Sequence, residues 1–167
     1  MRDKNSIFRQ NGCSNHTDKE RQVDDYYATE PRAAELLLEV EPELSDIWEC
    51  ACGEGHLAKV FDKYGKLKKA TDLHNRGYGK QQDFLYNLDV NFNPDYVYSG
   101  DIVTNPPYNL AKEFVEQALK IIENGRKVCM FLKLTFLEGK ERKELFKITP
   151  PPNDLYFFRQ NYLCYER

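Results

Sequence analysis

The chain has 167 residues and a mass of 19.7 kDa, about the size of one domain, which excludes a large multidomain protein. Hydrophobic residues make up 41% of it, and the mean hydropathy of -0.73, with no apolar run near ~20 residues, excludes a membrane-spanning helix. A formal net charge of -3 excludes a protein that coats nucleic acid without specificity, so any contact with nucleic acid must be local.

Residues 1–22 form a weakly basic arm. They show no hydrophobic periodicity, and they contain five basic residues against three acidic ones. We expect this arm to be either a frayed terminus or a segment that orders when a ligand binds. It lacks the apolar segment of a secretory signal, so we expect a cytoplasmic protein. Residues 23–167 are expected to form one domain.

Helices and strands alternate along the rest of the chain. The segment Thr29-Glu30-Pro31 predicts a helix cap, with the proline at or near the first turn, and Pro42 ends that helix. Apolar spacing then predicts strand 46–52, helix 56–64, strand 68–72, a strand or turn at 82–85, strand 101–104, a helix from 110 to near 125, strand 127–134, helix 141–148, and a strand pair at 155–158 and 162–165. This order is typical of an α/β fold with an open, mainly parallel sheet, helices on both faces, and ligands at the carboxyl ends of the strands.

A glycine turn follows the first of these strands. Gly53 and Gly55 are spaced G-x-G between a strand and a helix, so the backbone can turn tightly and a ligand can approach it. Ala58 stands where a dinucleotide site has its third glycine, and alanine is tolerated there, so the turn alone does not distinguish NAD from another nucleoside cofactor. The turn could also be a plain connection between a strand and a helix that binds no ligand. Acidic Glu49 is a poor neighbour for pyrophosphate and suits a cofactor with a cationic amino acid, which favours S-adenosylmethionine. The cofactor contacts expected from this segment are Glu49, Cys50, Ala51, Gly53 and Gly55.

Acidic residues also follow the next two predicted strands. Asp72 could accept hydrogen bonds from the two ribose hydroxyls of an adenosine, or it could cap a helix. Asp83 could accept from an adenine amino group while Phe84 contacts the ring, or the pair could be a turn aspartate and a core phenylalanine. All three are candidate cofactor-binding residues.

The segment Asn105 to Tyr108 (NPPY) lies between an apolar strand and a helix. Two prolines fix the backbone, so the Asn105 side chain and the Pro106 carbonyl are expected to be a rigid pair of acceptors. Such a pair can accept both N–H bonds of an exocyclic amino nitrogen and favour a pyramidal, reactive nitrogen. Tyr108 offers a face on which a planar base can stack. A plain Asn-Pro turn with a packing tyrosine is the alternative.

The glycine turn and the NPPY segment together resemble the amino-group class of S-adenosylmethionine-dependent methyltransferases, in particular small phage-type DNA N6-adenine enzymes. The resemblance runs from about Asn15 to Leu163 and implies the class I methyltransferase form of a Rossmann-like fold, with S-adenosylmethionine as the cofactor and DNA as the partner. The segment 25–31 resembles one that closes over the methionine end of the cofactor, which implies that Tyr27 and Thr29 bind it. The catalytic residues implied are Asn105, Pro106, Pro107 and Tyr108, with Asn105 also in the cofactor site.

One departure from these enzymes concerns recognition, because nothing after Tyr108 is long enough for a separate target-recognition domain. Methyl transfer to RNA amino groups or to protein glutamine, which uses the same NPPY segment, is therefore kept as an alternative. A truncated module that binds the cofactor without activity is a third. If DNA is the substrate, the adenine must flip out of its stack, with phosphates held by local basic residues.

Five cysteines lack the paired C-x-x-C spacing of a zinc site, so we expect no metal and mostly buried, reduced thiols.

Overall fold

We describe a computed structural model of the chain, which gives residues 29–86, 96–138, 145–147, 154–156 and 162–166. Residues 1–22 and Tyr27, for which the sequence made predictions, lie outside the described ranges. The helices and strands of the described part are α1 Pro31–Val40, β1 Ile47–Glu49, α2 His56–Lys63, β2 Leu67–Asp72, β3 Lys80–Gln81, β4 Ile102–Thr104, α3 Ala111–Ile121, β5 Lys127–Met130, β6 Asp154–Tyr156 and β7 Tyr162–Glu166. Two short 3-10 helices complete it, Tyr108–Leu110 and Leu134–Leu137.

The strands form one seven-stranded sheet in the order β3-β2-β1-β4-β5-β7-β6. The first five strands of the chain pair in parallel, and β7 runs antiparallel to both β5 and β6. The strand order reverses between β1 and β4, and in an open α/β sheet such a reversal leaves a crevice at the carboxyl ends of the strands. The predicted open, mainly parallel α/β sheet is confirmed.

Successive side chains of the central strands enter two different cores, as the period of a strand requires. Ile47 packs in the core beneath α1 and α2, and its neighbour Trp48 packs in the other core, against α3. The same alternation occurs in β4, where Ile102 and Val103 enter opposite cores. Both faces of the sheet are therefore covered by helices, which explains why consecutive residues of these strands, Ile47 with Trp48 and Ile102 with Val103, are apolar.

The strands are shorter than the sequence predicts. The run 46–52 forms a strand only over Ile47–Glu49, since the chain turns at the residues before Gly53. The run 127–134 stops at Met130. The strand after β2 is Lys80–Gln81, and 82–85 is the turn that the sequence offered as an alternative. Of the predicted helix 141–148, the described residues 145–147 are helical.

Two expectations are wrong. Pro31 opens α1 as predicted, but Thr29 does not cap it, because the N-cap is Glu30, which makes no side-chain capping hydrogen bond. The Thr29 hydroxyl accepts a hydrogen bond from Asn105 instead. Cys129 is disulfide-bonded, so the expectation of reduced thiols fails there, and its strand register pairs it with Cys164. Cys50 and Cys52 are free and buried, as expected. None of the described helices is long and apolar enough to cross a membrane.

Candidate functional site

A pocket of about 200 Å³ opens at the carboxyl ends of β1, β2 and β4. Parallel strands bring the residues that follow them to one edge of the sheet, which is why segments far apart in the sequence meet there. Most of the residues predicted from the sequence line this pocket, namely Thr29, Glu49, Cys50, Ala51, Asp72, Asp83, Phe84, Asn105, Pro106, Pro107 and Tyr108. Gly53 and Gly55 do not line it but form the turn beside it.

The glycine turn needs backbone conformations that glycine adopts most readily. Gly53 and Gly55 have φ of 53° and 80°, in the left-handed region, and Gly55 is the N-cap of α2. The ring of Tyr78 packs where a Cβ of Gly55 would lie. The backbone N–H of Gly53 donates to Asp72 Oδ2 at 2.8 Å, so the end of β2 fixes the shape of the turn.

Glu49 ends β1 with only 2% of its surface exposed. Burial raises the pKa of its carboxyl well above the usual 4.5, and the negative charge of Asp72 raises it further, against the lowering effect of a hydrogen bond from the Ala58 backbone. Its Oε2 atom accepts no hydrogen bond from any residue that the structure describes. A buried acceptor of this kind in a pocket wall suits a cationic or hydrogen-bond-donating ligand.

Asp72 ends β2 and is used by the backbone around it. Besides the bond from Gly53, its Oδ1 accepts from the backbone N–H of His74 at 2.9 Å, and Arg76 Nε lies 4.0 Å from Oδ1. β3 follows, so Asp72 caps no helix in the structure. A carboxylate has about four lone-pair sites, so these bonds leave acceptor capacity for a ligand's hydroxyl groups.

Asp83 and Phe84 line the pocket, and they are also the turn aspartate and the core phenylalanine that the sequence offered as alternatives. Asp83 Oδ1 accepts from the backbone N–H groups of Leu85 and Tyr86, at 2.9 and 3.3 Å, which closes a turn. Phe84 is 2% exposed and packs on Trp48 and Phe114, with ring centroids 5.3 and 5.1 Å away.

The NPPY segment joins β4 to α3 through the first 3-10 helix. The backbone N–H of Leu110 donates to the Pro107 carbonyl at 3.0 Å. Asn105 Nδ2 donates to the hydroxyl of Thr29 at 2.7 Å, which ties the segment to the residue pair before α1. Lys133 Nζ lies 4.5 Å from the centroid of the Tyr108 ring, a cation–π distance.

The two cysteines of the turn are protonated thiols at neutral pH. Burial raises the pKa of Cys50 well above its usual value, and it raises that of Cys52 to about 12, with the Glu49 charge adding to both. A thiol is a poor metal ligand and a poor nucleophile in this form. Within the described ranges, no group of three or more His, Cys, Asp or Glu side chains could hold a metal ion.

Several residues that line the pocket were not predicted to do so, among them Leu73, His74 and Arg76 in the loop after β2, and Leu110 and Phe114 on one side of the 3-10 helix and α3. The loop residues follow Asp72 directly, so their place after a strand end was a usable signal. Leu110 and Phe114 are spaced i, i+4, which predicts a shared helix face but not that the face reaches a ligand site. His56, which opens α2, is half-buried in the pocket wall, and its Nε2 lies 3.4 Å from Glu54 Oε2.

Solved structures with the same architecture include methyltransferases from several microorganisms. A putative S-adenosylmethionine-dependent methyltransferase from Methanococcus maripaludis superposes with a TM-score of 0.57 at 14% identity, over 82% of this chain and 84% of that one. The fold is that of the class I methyltransferases. TrmN from Thermus thermophilus (TM-score 0.53, 18% identity) matches 82% of this chain but only 48% of its own, so this chain spans about half of TrmN.

An RNA methyltransferase from Salinibacter ruber, solved with S-adenosyl-L-homocysteine, matches over 83% of this chain and 92% of that chain, at 9% identity and a TM-score of 0.53. No protein-family model matches the sequence, and no curated protein matches it in a sequence search. Identities this low support the shared fold and leave function to the residues of the pocket.

Proposed function

We propose that the chain is an S-adenosylmethionine-dependent methyltransferase that modifies an exocyclic amino nitrogen. The observation that carries the proposal is the meeting of Asn105 with Glu49 and Asp72 in one pocket at the carboxyl ends of the strands. In this proposal one half of the pocket binds the cofactor and the NPPY segment presents the acceptor. The fold, which is that of solved S-adenosylmethionine-dependent enzymes, supports the same reading.

The pocket fits the cofactor at three points. The unsatisfied, buried Glu49 Oε2 suits the cationic amino acid end, Asp72 has acceptor capacity for ribose hydroxyls, and Asp83 with Phe84 offers an acceptor and a ring for adenine. Thr29, Cys50 and Ala51 add wall positions, and Tyr27 remains part of the proposal although it lies outside the described residues. S-adenosylmethionine supplies, when bound, an electrophilic methyl group on a sulfonium.

The NPPY segment supplies the acceptor side of the reaction. Asn105 Oδ1 and the Pro106 carbonyl accept the two N–H bonds of the amine, so the nitrogen lone pair is directed at the methyl carbon. A carbon–nitrogen bond forms as the carbon–sulfur bond breaks, and its electron pair stays on sulfur. The methylated nitrogen is then cationic and acidic, so it loses a proton to solvent and no dedicated base is required.

We propose adenine N6 in DNA as the acceptor. The support is the NPPY segment with Tyr108 beside it, because a flipped adenine presents a planar ring for stacking and an exocyclic amine for Asn105. Lys133, within 4.5 Å of the Tyr108 ring centre, is positioned to meet a phosphate next to that base. Other candidate phosphate contacts are Arg76, Lys80, Lys112, Lys140, Arg142 and the arginines of residues 1–22. We also propose that the protein works in the cytoplasm. Residues 23–167 form its single domain in this proposal.

RNA is the second candidate acceptor. TrmN and the Salinibacter ruber enzyme share the fold, and the latter is an RNA methyltransferase. The chemistry at Asn105 is the same for either polymer, because the exocyclic amine and the ring plane of a base do not depend on the sugar. The 2′-hydroxyl is the group by which a protein distinguishes the two.

The test is a transfer assay with three acceptor pools. The protein is incubated with methyl-labelled S-adenosylmethionine and unmethylated genomic DNA, unmodified RNA or cell protein, and the products are digested to nucleosides or amino acids. We expect label in N6-methyldeoxyadenosine, its loss in Asn105→Ala, and its retention in Asn124→Ala, a matched exposed asparagine. Label in an RNA base or in glutamine would show that the acceptor is RNA or protein and not DNA. No label in any pool, with the cofactor bound, would refute the proposed methyltransferase activity. The chain would then be a module that binds the cofactor without activity.

A further inference from the structure

The contact between Thr29 and Asn105 joins two segments that are 76 residues apart. Thr29 is buried, with 5% of its surface exposed, and its Oγ1 accepts from Asn105 Nδ2 at 2.7 Å. It gives no cap to α1, although threonine is a favourable capping residue and stands one position before the N-cap. The hydroxyl is therefore committed to the NPPY segment.

Thr29 is held in this place by the packing of α1. Ala34 and Leu37 of that helix are fully buried against the sheet core. The backbone N–H of Ala33 also donates to the Glu30 carbonyl at 3.0 Å, which begins the first helical turn directly after Thr29. The packed start of α1 therefore holds the Thr29 hydroxyl in place.

The orientation of the Asn105 amide decides whether it can serve an amine. An amide can rotate by 180° about its terminal torsion, and the two orientations exchange an acceptor for a donor group. With Nδ2 directed at Thr29, the acceptor Oδ1 occupies the other branch of the amide. In the reverse orientation, Nδ2 hydrogens would face the N–H bonds of the amine and repel them.

We propose that Thr29 is a positioning residue that holds the Asn105 amide in the orientation in which Oδ1 accepts from the target amine. This role rests on the proposed function, because it needs an amine as the acceptor. It goes beyond contact with the cofactor, since it acts through Asn105 on the acceptor side of the pocket.

Three variants separate this role from a general loss of structure. Thr29→Val keeps the shape and removes the hydroxyl, Thr29→Ser keeps the hydroxyl and removes a methyl group, and Thr135→Val is a matched control at an exposed threonine of the second 3-10 helix. We expect kcat to fall about tenfold in Thr29→Val, the effect of one neutral hydrogen bond on a barrier, and to return to within about twofold of the starting protein in Thr29→Ser. The Kd for S-adenosylmethionine, measured by calorimetry, should change less than the turnover.

A second readout does not depend on activity. The side-chain amide protons of Asn105, assigned in a proton–nitrogen NMR spectrum by their loss in Asn105→Ala, should show a downfield proton from the bond to Thr29. We expect that proton to move upfield in Thr29→Val and to keep its position in Thr29→Ser and Thr135→Val.

The outcomes are distinct. An Asn105 amide spectrum unchanged in Thr29→Val would overturn the proposal, as would a changed spectrum with unchanged kcat. A weaker cofactor Kd with the same kcat at saturation would also overturn it and leave Thr29 as a cofactor contact alone. If the unaltered protein transfers methyl groups to no acceptor, the proposed function fails, and the spectrum still decides whether Thr29 orients Asn105.

Discussion

Burial of the Glu49 carboxyl makes the free energy of unfolding depend on pH. Its pKa is raised in the folded protein, so above pH 4.5 the unfolded chain loses the proton that the folded protein still holds. The free energy of unfolding contributed by this group therefore falls with rising pH, by up to about 1.4 kcal/mol per pH unit, until the pH passes the folded-state pKa.

Glu49→Gln removes this titration and keeps the shape of the side chain. We expect the variant to gain free energy of unfolding relative to the parent as pH rises from 5 to 8, as measured by urea denaturation. The same variant should bind S-adenosylmethionine more weakly, because the cation loses its partner. Glu54→Gln, at an exposed position of the same turn, is the control. A difference between Glu49→Gln and the parent that does not depend on pH would contradict the assignment.

In the proposed function, Asn105 carries the chemistry at the acceptor side. In Asn105→Ala, the amine loses one of its two acceptors, and we expect kcat to fall by about 100-fold or more, as for loss of one oriented hydrogen-bonding group in other transfer sites. The Kd for the cofactor should change by a smaller factor than kcat. Steady-state transfer assays and calorimetry measure the two effects, and equal losses of kcat and binding would instead indicate a damaged pocket.

At the scale of elements, the turn between β1 and α2 depends on the left-handed backbone of Gly55. Gly55→Ala forces a Cβ into that conformation and into the ring of Tyr78. Gly65, with φ of 66°, has open space at its Cβ position, so Gly65→Ala carries the backbone cost of about 1 kcal/mol alone. We expect Gly55→Ala to lose more free energy of unfolding than Gly65→Ala, as measured by chemical denaturation. Equal losses would mean that Tyr78 moves aside freely.

The turn and the NPPY segment could be found from the sequence because both are local. Glycine conformational freedom and the proline-fixed backbone act within four to seven residues, so they do not depend on the rest of the fold. The element types and their order were predicted on the same basis. The strand ends were predicted less well, because 50–52 and 131–132 continue the apolar pattern after the ladder has ended and pack as pocket or core residues instead.

At the scale of the whole molecule, the site is a product of strand order. Reversal between β1 and β4 brings Glu49 and Asn105 to one crevice, and packing of α1 brings Thr29 to Asn105. The sequence predicted the crevice from the alternation of elements but not the contact of Thr29, since a hydrogen bond over 76 residues has no local signal. The loop that supplies His74 and Arg76 was missed although its place after a strand end was a usable signal. The side of α3 that supplies Phe114 was missed because helical spacing does not show which face reaches a ligand site.

The proposed function requires S-adenosylmethionine to bind at this crevice, and calorimetric titration measures this binding most directly. We expect one site per chain, with S-adenosylhomocysteine competing for it. Asp72→Asn should weaken binding about tenfold or more through its lost charged acceptor, whereas Asp62→Asn, at an exposed position of α2, should leave binding unchanged. Absence of binding at millimolar cofactor, or equal affinities in parent and Asp72→Asn, would contradict binding of S-adenosylmethionine at this crevice.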